Sequence, residues 1–220
     1  MARTAPTRRA RCALLLAALA LAGCVPVPRG AAAGGRGEVE DRGRWGQATP
    51  SRAPRLPFDG ALRFDDDGLA ATSPSALPAA ADACRPAVLV RVLRVRDGDT
   101  LEVEAPGEPR DLPVRLIGVD TPELHPAREC LAEEARAFSA QLAGHLAWLA
   151  FDRTCHDSYG RLLAYVHVGR EEGGFWQRQL LRRGLARVLT VGANRAFAGR
   201  FGDDEGRARA VGAGRWGACP

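Results

Sequence analysis

Three short stretches of this 220-residue chain bring together residue types that can do chemistry. Asp99 ends the first hairpin turn, within Asp97-Gly98-Asp99-Thr100. Arg115-Leu116-Ile117-Gly118-Val119-Asp120-Thr121-Pro122-Glu123 places one arginine just ahead of two carboxylates, and Asp157-Ser158-Tyr159-Gly160-Arg161 adds a second arginine. Carboxylates can take a proton or hold a hard cation through oxygen, and forked guanidiniums pair with carboxylate or phosphate. Strand alternation puts Arg115, Ile117 and Val119 on one face, so Arg115 stands in an otherwise apolar row. An arginine there needs an anionic partner, because an unpaired buried charge is costly. Each stretch also has a plainer reading. Asp97 and Asp99 suit a hairpin turn, Thr121-Pro122-Glu123 suits a strand exit, and Asp157 with Arg161 suits a surface ion pair of little energetic weight.

The elements that must position these residues begin near Cys84. Val88 to Val95 is β-branched and apolar, and Leu101 to Glu104 alternates beyond the Asp-Gly-Asp-Thr turn, which reads as strand, turn, strand. Leu112 to Val119 is a third strand. Leu131, Ala135, Phe138, Leu142 and Leu146 recur at helical spacing between Cys130 and about Trp148, and Ala147 to Phe151 is a fourth strand. Arg161 to Val168 is a fifth, followed by helices over Phe175 to Arg183 and roughly Ala196 to Val211. Five short strands with about three helices predict a small closed barrel with helices packed on it, an α+β domain.

Asp-Gly-Asp-Thr, Val-Asp-Thr-Pro-Glu, Tyr-Gly-Arg and the terminal Gly-Arg-Trp-Gly follow one another, over about residues 84 to 216, in an order and spacing that resemble the thermonuclease (staphylococcal nuclease-like) family of Ca²⁺-dependent phosphodiesterases. The resemblance implies an OB-type five-stranded barrel. It also implies that Asp99 and Asp120 bind Ca²⁺ through carboxylate oxygen, that Thr121 adds a backbone carbonyl, that Glu123 is the general base, and that Arg115 and Arg161 grip the scissile phosphate. These roles are chemically coherent. A hard cation takes several oxygen ligands, and charge developing on a phosphodiester can be neutralised by guanidiniums. DNA is the implied substrate, with RNA as a second. The runner-up is a catalytically weak OB module that binds nucleic acid or a partner. Tyr159 and Arg128 are candidate substrate contacts, although tyrosine is more often a packing residue. His125, His145, His156 and His167 lack metal-ligand spacing, which argues against zinc.

The chain departs from the family pattern in three places. Thr190 and Gly192 stand where members with strong nucleotide binding carry aromatic residues, and Ser158 replaces an often basic residue. Base stacking contributes roughly 1–3 kcal/mol per base, so weaker or rearranged substrate binding is expected, with Arg128 and Arg195 able to compensate.

The amino terminus has its own logic. Residues 1 to 23 hold Arg3, Arg8, Arg9 and Arg11, no acid, and the apolar run Ala13 to Leu21, which is too short to span a bilayer and reads as a secretory signal. Leu21-Ala22-Gly23-Cys24 resembles the lipobox of bacterial lipoproteins, which implies acylation at Cys24 and a lipid anchor in the cell envelope, facing away from the cytoplasm. Residues 24–55 are rich in Pro, Gly, Ala and Arg and read as a tether; 56–83 read as a small extension whose 61–64 and 69–71 segments can pair as a hairpin. Cys84, Cys130, Cys155 and Cys219 remain, an even number in an exported domain. They predict two disulfides, with Cys84–Cys219 and Cys130–Cys155 the preferred pairing among three. All 31 basic residues are arginine, but the formal charge of +5 is mostly leader: from residue 84 onward 20 arginines face 18 acids. That excludes a polycationic nucleic-acid binder, and a monomer is expected.

Overall fold

The computed structural model describes residues 62–108, 111–170 and 172–220. The leader, Cys24 and the tether lie outside the described residues.

Strands β1 (Val88–Val95), β2 (Thr100–Glu104) and β3 (Leu112–Leu116) form an antiparallel meander. Short strand β4 (Gly118–Asp120) and helix α2 (Ala132–Ala140) follow, then β5 (Leu146–Ala150) and β6 (Leu162–His167). The barrel closes in the order β1-β2-β3-β6-β5, with β6 parallel to β3 and antiparallel to β5. Its interior is filled by β-branched and leucine side chains, among them Val92, Leu101, Val103, Val114, Leu149 and Val166, all fully buried. This is an OB-type α+β fold: the closed barrel is what the strand pattern predicts, and the OB type is what the family resemblance implies.

The third strand is shorter than its apolar run. At Gly118 the backbone turns through φ +84°, and a Cβ there would stand 2.4 Å from the Phe201 ring. The chain therefore leaves the barrel wall after Leu116. β4 pairs instead with β7 (Arg187–Leu189), a three-residue strand that alternation alone does not reveal, and the register sets Asp120 opposite Arg187. The second helix is shorter too. It ends at Ala140 because the chain reverses at Gly144, φ +88°, whose carbonyl accepts from Arg91 at 2.7 Å, so Leu142 is buried and Leu146 half-buried from outside the helix.

Helix α3 (Trp176–Arg182) is buried along its whole length and packs against α4 (Ala198–Ala210). Asp204 locks the two, accepting from Arg178 Nε at 2.5 Å and Arg182 Nε at 2.7 Å. A buried carboxylate held by two guanidiniums makes this contact geometrically specific, whatever its net stability. A last turn, α5 (Arg215–Ala218), closes the domain.

Two expectations are corrected. Residues 66–70 form a helix, α1 (Asp66–Ala70), and no hairpin: Asp65 caps it by accepting from the Gly68 N–H at 2.9 Å, and Asp66 and Asp67 favour its positive end. Its Leu69 packs with Leu77 and Trp148 on the outside of β5. The disulfides are Cys84–Cys155 and Cys130–Cys219, with Cα separations of 5.8 and 5.9 Å. The chain reaching β1 runs beside the exit of β5, where the Cys84 N–H donates to the Asp152 carbonyl at 2.7 Å, so Cys155 is its neighbour. Cys130 and Cys219 then join the approach to α2 to the carboxyl terminus.

Candidate active site

The turn between β1 and β2 aims Asp99 inward. Gly98 is required there, because a Cβ at that position would stand 2.7 Å from the Thr121 side chain. Asp99 is buried, and its Oδ2 accepts from Arg115 Nη1 at 2.6 Å and from the Thr121 N–H at 2.9 Å. Burial pushes its carboxyl up to about 7, with the Arg115 charge and the Thr121 N–H pulling it back. Arg115 comes from β3, opposite Thr100 of β2. Its Nη1 also donates to the Leu116 carbonyl at 3.1 Å and its Nη2 reaches Asp120 Oδ1 at 3.3 Å. Arg115 alternates with the buried Val114 and Leu116 and is not in one row with Ile117 and Val119, since β3 ends at Leu116; its anionic partner is a pair of carboxylates.

Asp120 is shared. On its other oxygen, Oδ2, it accepts from Arg187 Nε at 2.8 Å and Nη2 at 2.7 Å. Arg187 escapes the sequence reading because its partner is set by the β4–β7 register, and a three-residue strand carries no periodic signal. Glu123 follows on an exposed turn, where its N–H donates to Glu129 Oε2 at 3.2 Å. Partial burial first, then the negative charge of Asp97, raise its pKa, while Arg115 lowers it. Arg115 and Asp120 are thus both within electrostatic reach of Glu123.

Arg161 is delivered by the loop between β5 and β6. Asp157 Oδ2 accepts from its Nε at 2.7 Å, and Asp157 Oδ1 accepts from the N–H groups of Tyr159 and Arg161 at 2.9 and 3.0 Å. Burial acts to raise the Asp157 pKa, but these hydrogen bonds together outweigh it and hold the carboxylate below its usual range. Behind the loop, Asn194 clamps Thr154 through two hydrogen bonds of 2.8 and 2.9 Å, and Cys155 is tied to Cys84. Asn194 is the second residue that sequence reading missed, since its role is a contact across 40 residues.

Arg115 and Arg161 line one open groove of about 480 Å³, with Tyr159, His156, Leu189 and Val191 on its walls. Tyr159 is 83% exposed, and the Arg161 guanidinium lies over its ring at 5.6 Å. Thr190 and Gly192 present no aromatic ring to this groove. Arg128 lies elsewhere, in a hollow of about 580 Å³ beside Glu123 that Arg96 and Arg136 also line, and it pairs loosely with Glu133 at 3.9 Å. Arg195 is held by the Gly192 carbonyl.

Asp99, Asp120 and the Thr121 backbone present only oxygen donors, the set a hard divalent cation takes. Asp99 is also a desolvated carboxylate that one guanidinium only partly offsets, so an added positive charge would stabilise its ionised form. These residues fit such an ion. Among the described residues, no group of three or more His, Cys, Asp or Glu side chains gathers for a metal, so a cation here would complete its shell with backbone oxygen, water or substrate.

Arg115, Asp120 and Glu123 lie in or just past the third strand of an OB-type barrel, and Arg161 lies at the entry to β6, the parallel neighbour of that strand. Comparison with known proteins is more specific. Residues 113–218 match the family described as staphylococcal nuclease homologue. That span contains Arg115, Asp120, Thr121, Glu123 and Arg161, while Asp99 precedes it. The chain is 38% identical over 102 residues to a thermonuclease of Staphylococcus hyicus, covering 44% of this chain and 57% of that protein. It is 41% identical over 101 residues to a thermonuclease of Staphylococcus intermedius, with the same coverage. It is 40% identical over 129 residues to endonuclease YncB of Bacillus subtilis, covering 56% and 58%. The chain spans somewhat more than half the length of these curated relatives.

Proposed function

We propose that this chain hydrolyses phosphodiester bonds in DNA, and in RNA as a second substrate, in a Ca²⁺-dependent reaction. The observation that carries the reading is that Arg115 and Arg161 face one groove while Arg115 also joins Asp99 to Asp120. A phosphate in that groove meets two permanent positive charges whose forks match its oxygens, so charge developing on the non-bridging oxygens is neutralised where it appears. Glu123 accepts the proton of the attacking water. Its raised pKa makes it a better base than an ordinary surface carboxylate, and its exposure allows the proton to pass on to solvent. Asp99, Asp120 and the Thr121 carbonyl would hold Ca²⁺, whose charge, when bound, adds Lewis-acid stabilisation of the phosphate. The sparse aromatic lining around Tyr159 supports affinity resting on phosphate contacts more than on stacked bases.

Degradation of plasmid DNA by the purified chain tests this reading. Cleavage with Ca²⁺ that stops on chelation is expected; cleavage indifferent to chelator contradicts the metal's role. We propose further that the chain is exported and held at the envelope by a lipid on Cys24, a reading supported by Leu21-Ala22-Gly23-Cys24. No helix among the described residues is long and apolar enough to cross a membrane. A Cys24→Ala variant should move from the membrane fraction to the soluble one; retention in the membrane contradicts the anchor.

A further inference from the structure

Arg187 occupies the outer oxygen of Asp120 with two donors, Nε at 2.8 Å and Nη2 at 2.7 Å, while Arg115 occupies the inner oxygen at 3.3 Å. Both oxygens of one candidate cation ligand are therefore engaged by guanidinium. A cation binding at Asp120 must share or displace one of them. The two arginines are unequal in their hold. Arg115 is 14% exposed and is further tied to Asp99 and to the Leu116 carbonyl, so its position is fixed by three partners. Arg187 is 57% exposed, extends from a three-residue strand, and pairs through its side chain with Asp120.

We infer that Arg187 is a built-in electrostatic competitor for the cation at Asp120, a positioning residue that sets how tightly a divalent ion is held. This rests on the proposed Ca²⁺ reading. In the absence of an ion, the Arg187 side chain neutralises Asp120 and holds its carboxylate in place. As the ion arrives, the exposed guanidinium can swing into water at small cost, because a solvated ion pair contributes little net free energy. Its charge nonetheless stays near the site and opposes the ion through space. The backbone pairing of Asp120 with Arg187 fixes where that side chain is rooted, so its charge cannot leave the neighbourhood of the site.

Calorimetric titration of Ca²⁺ into wild type, Arg187→Ala and Arg187→Lys, without nucleic acid, tests the inference. Removing the charge in Arg187→Ala should tighten Ca²⁺ about three- to tenfold, the scale of one partly screened charge at this range. Arg187→Lys, which keeps the charge, should bind Ca²⁺ within about twofold of wild type. Thermal unfolding of each apo variant checks that β7 still forms. Ca²⁺ that binds wild type but binds Arg187→Ala equally or more weakly overturns the competitor role and leaves the calcium reading standing. Absence of Ca²⁺ binding in all three proteins overturns the calcium reading, and the inference with it.

Discussion

Arg115 touches more of the site than any other side chain. Its guanidinium holds Asp99 at 2.6 Å and Asp120 at 3.3 Å and still borders the groove shared with Arg161. One residue thereby links the candidate cation ligands to the candidate phosphate contact. A lysine could not do this, because a single ammonium has no fork to span two carboxylates. Strand alternation pointed to an anionic partner for Arg115, but the row it assumed, with Ile117 and Val119, does not exist because β3 stops at Leu116; the partners, Asp99 and Asp120, come from neighbouring segments of the same motif set. Arg187 was not readable, because nothing in Ala186-Arg187-Val188 distinguishes an exposed strand charge from a ligand's partner until the register is known. The disulfide partners were likewise hidden: cysteine count predicts two bridges, but proximity of Cys84 to Cys155 comes from a backbone hydrogen bond across 68 residues, from Cys84 to Asp152.

At the scale of elements, the site depends on a strand that bends. Gly118 turns the chain out of the barrel between Arg115 and Asp120, so that the first faces the groove from β3 and the second meets β7. An unbroken third strand, as the apolar run to Val119 suggests, would have no β4 to pair with β7. The helix and strand types were legible because their periodicities run for several residues. The ends were not, since they are set by Gly118 and Gly144 contacts with distant residues. Another junction makes a prediction about stability. His167 at the end of β6 is buried against Phe175, and burial lowers its pKa from 6.5 to about 4, with a smaller opposing pull from the Pro78 backbone. Above pH 6.5 folded and unfolded chains both carry the neutral ring. Between pH 6.5 and 4 only the unfolded chain takes the proton, so His167 subtracts stability as pH falls, by up to about 1.4 kcal/mol per pH unit. Asp99, whose pKa is raised, acts in the opposite sense over the same range, so wild type alone is uninformative. Urea unfolding of wild type and His167→Leu at pH 7 and pH 5 separates them: the variant should lose less, or gain more, stability than wild type on acidification. Parallel changes in the two proteins contradict the buried neutral ring.

Over the whole molecule, the charge balance was a poor guide and the placement of charge a good one. Of 31 arginines, two face one groove, one bridges β4 to β7, and two are spent on Asp204 between helices. The closed five-stranded barrel was legible from strand periodicity, but its order β1-β2-β3-β6-β5, with β6 parallel to β3, was not, because strand pairing leaves no mark in the pattern of a single strand. The docking of α1 onto β5 was not, because its capping aspartate looks the same as a turn residue until the helix is seen. The proposed reaction requires Glu123 and Arg161 to act on one phosphodiester. The direct measurement is the initial rate of cleavage of a defined oligonucleotide at saturating Ca²⁺ by wild type, Glu123→Gln and Arg161→Ala, with folding of each confirmed by thermal unfolding. Each variant should lose about a hundredfold or more in kcat, the scale of removing a single transition-state donor or base. Cleavage by either folded variant at the wild-type rate would contradict it.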